Sequence, residues 1–317
     1  MVHILLSTYN GEKYIIEQLE SIFSQTYQEI RLFIRDDGST DATVEKIQQY
    51  FRQFPEYASR TNWVPNEKKE NLGYMQSFWK LLESAGGADY YAFCDQDDVW
   101  LSQKVERGVL ALQKECESTR ETPEIAEELP LLYFSHFYQC NEDLSIKKEG
   151  MVYPGPVKFE NVLFYTPAFG FSILINEKLR QLVLGPFDHT GLPHDGWVQK
   201  TAAAFGRIVY DPVCTAYYRR HESAVTASNA SKTSLIRNWL KNEIFGESMK
   251  ETHDVLERFY EVYGTQMKKK DRKVLEVYAT RKKSIKIWWK RIWFREMLRP
   301  SLGGRMALRV CFVLKRY

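Results

Sequence analysis

The chain lacks most of the features that mark secreted, metal-stapled or membrane-spanning proteins. Its 317 residues include five cysteines, an odd and scattered set in which no two form a CxxC pair. This usage indicates neither a disulfide framework nor a zinc site, and it suits a reducing cytoplasm. No apolar run reaches the roughly 18 residues of a spanning helix. The start MVHILLSTYNGEKY also lacks the stretches of a signal peptide, so we expect a cytoplasmic protein.

Acidic residues are scarce at the C-terminal end. Residues 281–317, which we call the basic tail, contain 12 lysines and arginines but a single acidic residue, Glu296, and so carry a charge of +11. The whole chain carries +3, which leaves −8 for the preceding 280 residues. We therefore predict that the basic tail is a separate functional unit.

Apolar periodicity predicts strands that alternate with helices. Runs rich in β-branched and aromatic residues are typical of strands, and here they occupy 3–7, 30–35, 62–64, 90–94 and 131–135. Apolar residues at helical spacing lie between them, as in 14–23 and 44–51. Such alternation forms right-handed βαβ units and a mostly parallel sheet, so the predicted fold class is α/β.

Polar clusters directly follow three of the predicted strands, at 7–10, 36–39 and 95–98. Ligands bind at the carboxyl ends of parallel strands, so we expect the three clusters to converge on one edge of the sheet. The third cluster, DQDD, places three carboxylates within four positions. Mg²⁺ or Mn²⁺, which prefers one or two carboxylates together with phosphates and water, would offset their repulsion.

Each cluster also has a purely structural interpretation. Asp98 could cap a helix that begins near Leu101, and Ser39, Thr40 or Asp41 could cap the helix after the second strand. The motif NLG, just before an apolar helical run, is likewise compatible with a helix start. No single cluster decides between the two interpretations.

Five motifs taken together, in this order, resemble one family. They are STYNGEKYIIEQLESIFSQTY, IRDDGSTDAT, ENLGYMQSF, YAFCDQDDVW and PHDGW. This set resembles the family two inverting glycosyltransferases with a GT-A fold, and DQDDVW with YRRH resembles their bacterial rhamnosyltransferase branch. The resemblance spans residues 2–222. It implies a Rossmann-like nucleotide-binding fold with a mostly parallel central sheet at 1–225, followed by a helical C-terminal extension at 226–317.

The resemblance also implies where a nucleotide sugar binds. In similar enzymes the first-strand loop surrounds the base and ribose, Asp37 accepts a hydrogen bond from the pyrimidine ring, and Asp95 lies toward the ribose. Asp97 matches the ligand of Mg²⁺ or Mn²⁺ on the diphosphate, and Asp98 is a weaker match. The residues expected at the nucleotide sugar are Thr8, Tyr9, Asn10, Glu12, Asp37, Asn71, Gly73, Asp95 and Gln96.

An inverting mechanism requires a base on the far side of the sugar. The acceptor hydroxyl attacks the anomeric carbon opposite the leaving diphosphate and loses its proton to a carboxylate. Asp195 in LPHDGW matches the family's base motif, although His194 stands where an acidic residue is commoner. His194 is either inconsequential or favours the ionised form of Asp195 through a positive charge. The structural alternative for Asp195 is a helix N-cap.

The motif AYYRRHESA follows a strand-like run. In relatives a His or Arg at this place approaches the metal or the diphosphate. His221 is therefore predicted as a metal ligand, and Arg219 or Arg220 could neutralise phosphate oxygens. A surface loop is the alternative.

The resemblance to the rhamnosyltransferase branch implies dTDP-L-rhamnose as donor and a lipid-linked saccharide of a cell-wall or capsular polysaccharide as acceptor. Transfer from another nucleotide sugar, such as a UDP-hexose, is an alternative, and so is a non-catalytic membrane scaffold. An aspartyl-phosphate phosphatase is excluded because Arg35 stands where its nucleophile would be. A nucleotidyltransferase is disfavoured because STYNGEKY replaces the Gly-rich loop after the first strand.

The basic tail has an amphipathic pattern. Its large apolar residues recur at helical spacing with lysines and arginines between them; they are Ile285, Trp288, Trp289, Ile292 and Trp293. This pattern favours a helix that holds the protein at the anionic inner face of the cell membrane. Packing on the catalytic domain or pairing in a homodimer is the alternative. Nucleic acid is not an expected partner, because no recognised motif accompanies the charge.

Overall fold

The computed structural model describes residues 1–120, 129–150, 152–220, 240–282 and 284–314. The chain forms two compact units. The first, which we call the sheet unit, comprises 1–156 and 168–224, and the second, the helical unit, comprises 157–167 and 225–317. The segment 157–167 thus belongs to the helical unit, although it lies inside the predicted catalytic domain.

One mixed sheet organises the sheet unit. Its described strands are β1 (Val2–Thr8), β2 (Ile30–Asp36), β3 (Thr61–Trp63), β4 (Tyr90–Cys94), β5 (Val99–Trp100), β6 (Leu131–Cys140), β7 (Ile146–Glu149), β8 (Ile173–Asn176) and β9 (Arg207–Arg219). Their order is β3-β2-β1-β4-β8-β6-β9-β5, with β7 beside β6. The first four strands in this order are parallel, and so are β6 and β9, whereas β8 is antiparallel to both neighbours.

Helices connect these strands and cover the sheet. They are α1 (Ile15–Phe23), α2 (Thr43–Gln53), α3 (Pro55–Ala58), α4 (Gly73–Ser84), α5 (Lys104–Arg120), α6 (Glu177–Val183) and α7 (His194–Phe205). In α1 the buried residues Ile15, Leu19, Ile22 and Phe23 follow the helical period, so one apolar face packs into the core below β1 and β2. The predicted alternation of strands and helices is confirmed.

Two of the structural interpretations from the sequence are wrong. The N-cap of α2 is Ala42 rather than Ser39, Thr40 or Asp41. Asp98 does not cap a helix at Leu101, because the chain after it forms β5 and the helix α5 begins only at Lys104. The carboxylates of the DQDD cluster are therefore not explained by helix capping.

The helical unit contains four longer helices among its described residues. They are α8 (Ser248–Tyr263), α9 (Lys269–Ala279), α10 (Ile285–Ile292) and α11 (Leu302–Val313). Ile292, Leu308 and Phe312 are buried, so the basic tail supplies part of this unit's core. That the tail has a function of its own stays a prediction. No helix within the described ranges combines the length and the apolarity that crossing a bilayer requires.

Candidate active site

The three polar loops at the carboxyl ends of β1, β2 and β4 are joined by hydrogen bonds. The Oγ1 of Thr8 donates to Oδ1 of Asp36 at 2.9 Å. The amide of Gln96 makes two bonds to the backbone of Tyr9, accepting from its N and donating to its O, each at 2.8 Å. A Cβ at Gly11 would lie only 2.2 Å from Oε1 of Gln96, so a larger residue there would displace the Gln96 amide from these bonds. The predicted convergence on one edge is confirmed.

The loop after β1 is braced against the loop after β2. The side chain of Asn10 accepts from Thr40 N at 2.8 Å, and that of Glu12 accepts from Ala42 N at 3.0 Å. Asn10 has a φ of +48°, a left-handed conformation that asparagine tolerates better than most residues. Both side chains thus shape the loop that holds the exposed ring of Tyr9. Their direct contact with a nucleotide stays a prediction.

Asp37 connects the end of β2 to the start of α4. It is buried and forms an ion pair with Arg35. Its two carboxylate oxygens accept from Leu72 N at 3.0 Å and from Gly73 N at 2.8 Å. The side chain of Asn71 also accepts from Gly73 N, at 2.9 Å. This network positions the motif NLG at the site, while a bond from Asp37 to a pyrimidine ring stays a prediction.

The helix α7 carries Asp195 to the carboxylates that follow β4. Burial, and then the charges of Asp97 and Asp195, raise the pKa of Asp95 to about 7. Such an influence requires the three carboxylates to be neighbours. Pro193 is the N-cap of α7 and Asp195 lies in its first turn, so the N-cap alternative for Asp195 is wrong.

Side chains of α4 hold the segment that precedes α7. The indole of Trp79 donates to Leu192 O at 2.8 Å, and the amide of Gln76 donates to His189 O at 2.9 Å. Because Trp79 is fully buried, this attachment is well defined. It fixes where α7 begins, and therefore where Asp195 lies.

Asp98 differs from its two neighbours in the DQDD cluster. It is buried, its Oδ1 accepts from Arg219 N at 3.2 Å, and its Oδ2 has no hydrogen-bond partner within the described ranges. Burial and the charges of Asp97 and Asp95 raise its pKa well above the ordinary value. Burial therefore disfavours the ionised form of Asp98, with Lys104 nearby.

Arg219 is bound to protein groups on every side. Its Nε donates to Asp97 O at 3.0 Å, and its other nitrogens contact Glu17 and the backbone of Glu142. The guanidinium also lies 4.6 Å from the ring centre of Tyr14. Because these contacts use the donors of Arg219, the residue supports the backbone of Asp97 rather than binding phosphate.

The carboxylates after β4 fit a hard divalent cation. The pKa of Asp95 is raised partly by neighbouring negative charge, which a cation between Asp95 and Asp97 would offset. Two carboxylates are what Mg²⁺ or Mn²⁺ takes when phosphate and water complete its shell. Asp97 was predicted as a ligand and Asp95 was not, and the other predicted ligand, His221, lies outside the described residues.

His194 does not provide a positive charge. The centre of its ring lies 4.3 Å from that of Phe78 and 5.0 Å from that of Phe93. Neither ring nitrogen has a hydrogen-bond partner among the described residues. Burial lowers the pKa of His194 to about 4, so the imidazole is neutral at neutral pH. The hypothesis that His194 favours ionised Asp195 through its charge is wrong, because the apolar surroundings oppose protonation.

Lys200 and Tyr74 are site residues that the sequence did not reveal. Burial lowers the pKa of Lys200 to about 8, although the negative charge of Asp195 acts in the opposite direction. Its Nζ donates to Gly196 O at 3.4 Å. The pKa of Tyr74 is raised by burial and by the charges of Asp195 and Asp95. A signal for Lys200 was present, since it is the only charged residue in the run WVQKTAAA.

Replacing His194 should change the stability of the protein at acid pH. The pKa of His194 falls from its ordinary 6.5 to about 4 on folding. Its favourable contribution to the free energy of unfolding is therefore complete above pH 6.5 and is lost as the pH falls toward 4. The loss corresponds to up to about 3 kcal/mol. We expect the free energy of unfolding of His194→Leu, measured by urea denaturation, to change less over this pH interval than that of the wild type. An unchanged pH dependence would contradict the prediction.

Residues 3–119 match the family model described as glycosyl transferase family 2. Among curated proteins, the chain is similar to dTDP-rhamnosyl transferase RfbG of Shigella flexneri, with 36% identity over 106 residues. This match covers 33% of the chain and 35% of RfbG, so it spans about a third of the relative's length.

The fold is similar to that of two solved structures whose complexes contain nucleotide sugars. TarS of S. aureus in complex with UDP-GlcNAc aligns with a TM-score of 0.56 at 15% identity, over 99% of this chain and 90% of TarS. The mannosyltransferase PcManGT of Pyrobaculum calidifontis, in complex with GDP-Man and Mn²⁺, aligns with a TM-score of 0.50 at 16% identity, over 99% and 86%. At these identities the likeness concerns the fold alone, and it confirms the predicted GT-A class.

Proposed function

We propose that the chain, in which residues 3–119 match the glycosyl transferase family 2 model, is a metal-dependent enzyme of the GT-A fold that transfers a sugar from a nucleotide diphosphate with inversion. One observation carries the proposal. Asp195 lies close enough to Asp95 for its charge to raise the pKa of that carboxyl. A base candidate and a pair of candidate metal ligands therefore belong to one site.

Asp195 acts as the general base in this proposal. It accepts the proton of the acceptor hydroxyl as that oxygen attacks the anomeric carbon. Its place in the first turn of α7, at the positive end of the helix dipole, suits a carboxylate. Lys200 adds a positive charge on the same helix.

The loops after β1, β2 and β4 hold the donor. Tyr9 offers an exposed aromatic ring on which the nucleotide base can stack. Gln96 holds the backbone of Tyr9 in place through two hydrogen bonds. Asp97, with Asp95, would hold Mg²⁺ or Mn²⁺. A bound ion of this kind supplies positive charge to the diphosphate as it leaves.

The proposed donor is dTDP-L-rhamnose. Support comes from the DQDDVW and YRRH motifs and from the similarity to RfbG, which is described as a dTDP-rhamnosyl transferase. A panel of nucleotide sugars, offered to the purified full-length protein with Mg²⁺ or Mn²⁺, tests this choice through release of nucleoside diphosphate. We expect the fastest release from dTDP-L-rhamnose.

A UDP-hexose is the second candidate donor. The structural likeness to TarS, whose complex contains UDP-GlcNAc, favours it. Preference for a UDP-sugar in the same panel would replace rhamnose with this candidate. Release from no nucleotide sugar, by a protein that is folded and supplied with metal, would instead favour the non-catalytic scaffold.

The proposed acceptor is a lipid-linked saccharide, reached from the surface of a membrane. Two stripes of exposed apolar side chains in the helical unit support this proposal. The first consists of Ile285, Trp289 and Trp293 around α10, and the second consists of Leu302, Met306, Val310 and Val313 on α11. Each stripe repeats at helical spacing, so each helix presents one apolar face to its surroundings.

Positive charges accompany the exposed stripe of α10. Lys286, Lys290 and Arg295 are exposed beside it. In contrast, Arg291 donates to backbone carbonyls and Arg299 pairs with Glu243, so these two belong to the interior of the unit. Each free cation near an anionic surface adds about 1 kcal/mol to membrane binding.

The double substitution Trp289→Glu with Trp293→Glu should weaken binding to anionic vesicles by at least about tenfold, because both rings are exposed and each change also opposes the membrane charge. Vesicle flotation at low salt measures the effect. The point substitutions are preferable to removing the tail, which would take Ile292 and Phe312 out of the core.

The matched control is Leu110→Glu, which alters an exposed apolar side chain of the sheet unit. It should leave vesicle binding unchanged. Binding that survives the double substitution would rule out α10 as the anchor. If the same substitution dissolves a homodimer in sedimentation experiments without vesicles, the stripe is a subunit interface.

A further inference from the structure

A group of metal-ligating side chains lies among β6, β7 and β9 and includes no residue of the candidate active site. It consists of His136, Glu149 and Cys214, whose ligand atoms all lie within 4.8 Å of one another. His136 on β6 pairs directly with Cys214 on β9, and Glu149 pairs with Tyr138. Three adjacent strands therefore bring together a nitrogen, an oxygen and a sulfur.

The surroundings of His136 point to a missing partner. The residue is buried, and its Nε2 has no hydrogen-bond partner in the described part of the chain. The ladder between β6 and β9 is irregular on both sides of His136. Such bulges redirect a side chain out of the regular alternation, and they occur often near functional sites. An unpaired buried nitrogen costs free energy unless a ligand satisfies it.

We propose that His136, Glu149 and Cys214 bind a transition-metal ion, and that Zn²⁺ is the best fit. Thiolate and imidazole ligands select Zn²⁺ over Mg²⁺ or Mn²⁺, which prefer oxygen. Three protein ligands leave the fourth tetrahedral position to water. The site is therefore chemically distinct from the oxygen-lined one that Asp95 and Asp97 would form.

Binding of the ion would require the deprotonated sulfur of Cys214 and a nitrogen lone pair of His136. The thiol proton leaves to solvent as the sulfur–metal bond forms. The bound ion would then fasten the exposed strand β7 to β6 and β9.

The second group of ligating residues in the described ranges is a poorer candidate for a metal site. It consists of His253, Asp254 and Glu257 on α8. The guanidinium of Arg281 forms ion pairs with Asp254 and Glu257. Since a cation of the protein already neutralises these carboxylates, the group around His136 is the better metal site of these two groups within the described ranges.

Co²⁺ and Zn²⁺ added to the full-length protein, after reduction and treatment with a chelator, test the proposal. We expect one Co²⁺ to produce a thiolate-to-metal charge-transfer absorption that Zn²⁺ abolishes. Cys214→Ser should remove the absorption, and Cys116→Ser, which alters a half-buried thiol outside the group, should retain it. Glu149→Gln, at an exposed position, should fold normally and weaken Zn²⁺ binding about tenfold or more.

Two outcomes would overturn the proposal. One is a wild-type protein that gives no thiolate absorption with Co²⁺. The other is equal Zn²⁺ affinity in the wild type, Cys214→Ser and Glu149→Gln. Asp97→Ala separates this site from the proposed catalytic one, because it should leave the cobalt absorption intact; loss of the absorption in Asp97→Ala would move the ion to the active site.

Discussion

Asp195→Asn should reduce sugar transfer by about 10²–10⁴-fold, the range that a positioned general base contributes. The amide keeps the shape of the side chain but does not accept a proton from the acceptor hydroxyl. Donor binding should stay near the wild-type value, because the loops after β1 and β2 do not depend on this carboxyl. Turnover at saturating donor and calorimetric titration of the donor measure the two effects.

Asp188→Asn is the matched control for this substitution. Asp188 is an exposed carboxylate in the loop before α7, where its Oδ1 accepts from Thr190 N at 2.9 Å. The same chemical change at this position should leave transfer within a few-fold of wild type. Near wild-type turnover in Asp195→Asn would assign the base to another residue.

Asp97→Ala should abolish both transfer and metal-dependent binding of the donor. A divalent ion at a leaving diphosphate stabilises the transition state by several kcal/mol, so we expect a loss of at least about 10³-fold. Removal of metal from the wild type with a chelator should have the same effect. Donor titrations with and without Mn²⁺ distinguish this loss from that of Asp195→Asn, which leaves donor binding intact.

Asp98→Asn provides the comparison within the same cluster. Because Asp98 is buried and its ionised form is disfavoured, an amide of the same shape should replace it with little effect on metal-dependent donor binding. Equal losses in Asp97→Ala and Asp98→Asn would show that the cluster acts through folding. Transfer that a chelator leaves undiminished would remove the metal from the mechanism.

The sequence predicted the edge of the sheet that carries the site. Buried parallel strands appear as continuous apolar runs, and the first polar residue after each run marks where the strand ends. For this reason the predicted strand at 90–94 coincides with β4, and the one at 3–7 lies within β1. The antiparallel strand β8, between β4 and β6, was not predicted, because its pairing depends on segments far away in the chain.

The electrostatic character of single residues was harder to predict. The pKa of His194 depends on burial against Phe78 and Phe93, which a motif does not reveal. The tail gives a second example. Its apolar spacing is helical as predicted, yet Ile292 faces the core while Trp289 is exposed. Periodicity identifies an apolar stripe but does not state which part of it the rest of the protein covers.

The segment 157–167 is translated well before the residues that its aromatic rings contact. It emerges before 168–224 completes the sheet unit, but it belongs to the helical unit. The ring of Phe159 lies 6.1 Å from that of Phe259, and the ring of Phe164 lies 5.6 Å from that of Phe312 on the last helix. These partners are translated late.

In a nascent chain, the apolar side chains of this segment therefore lack their packing partners until translation is almost finished. In the complete protein Phe159, Val162 and Leu163 are nearly inaccessible to solvent. A chain that stopped at residue 224 would lack the aromatic partners of this segment, and exposed apolar patches of this kind promote aggregation. A stable fragment with the sheet unit alone should need these apolar residues replaced by polar ones.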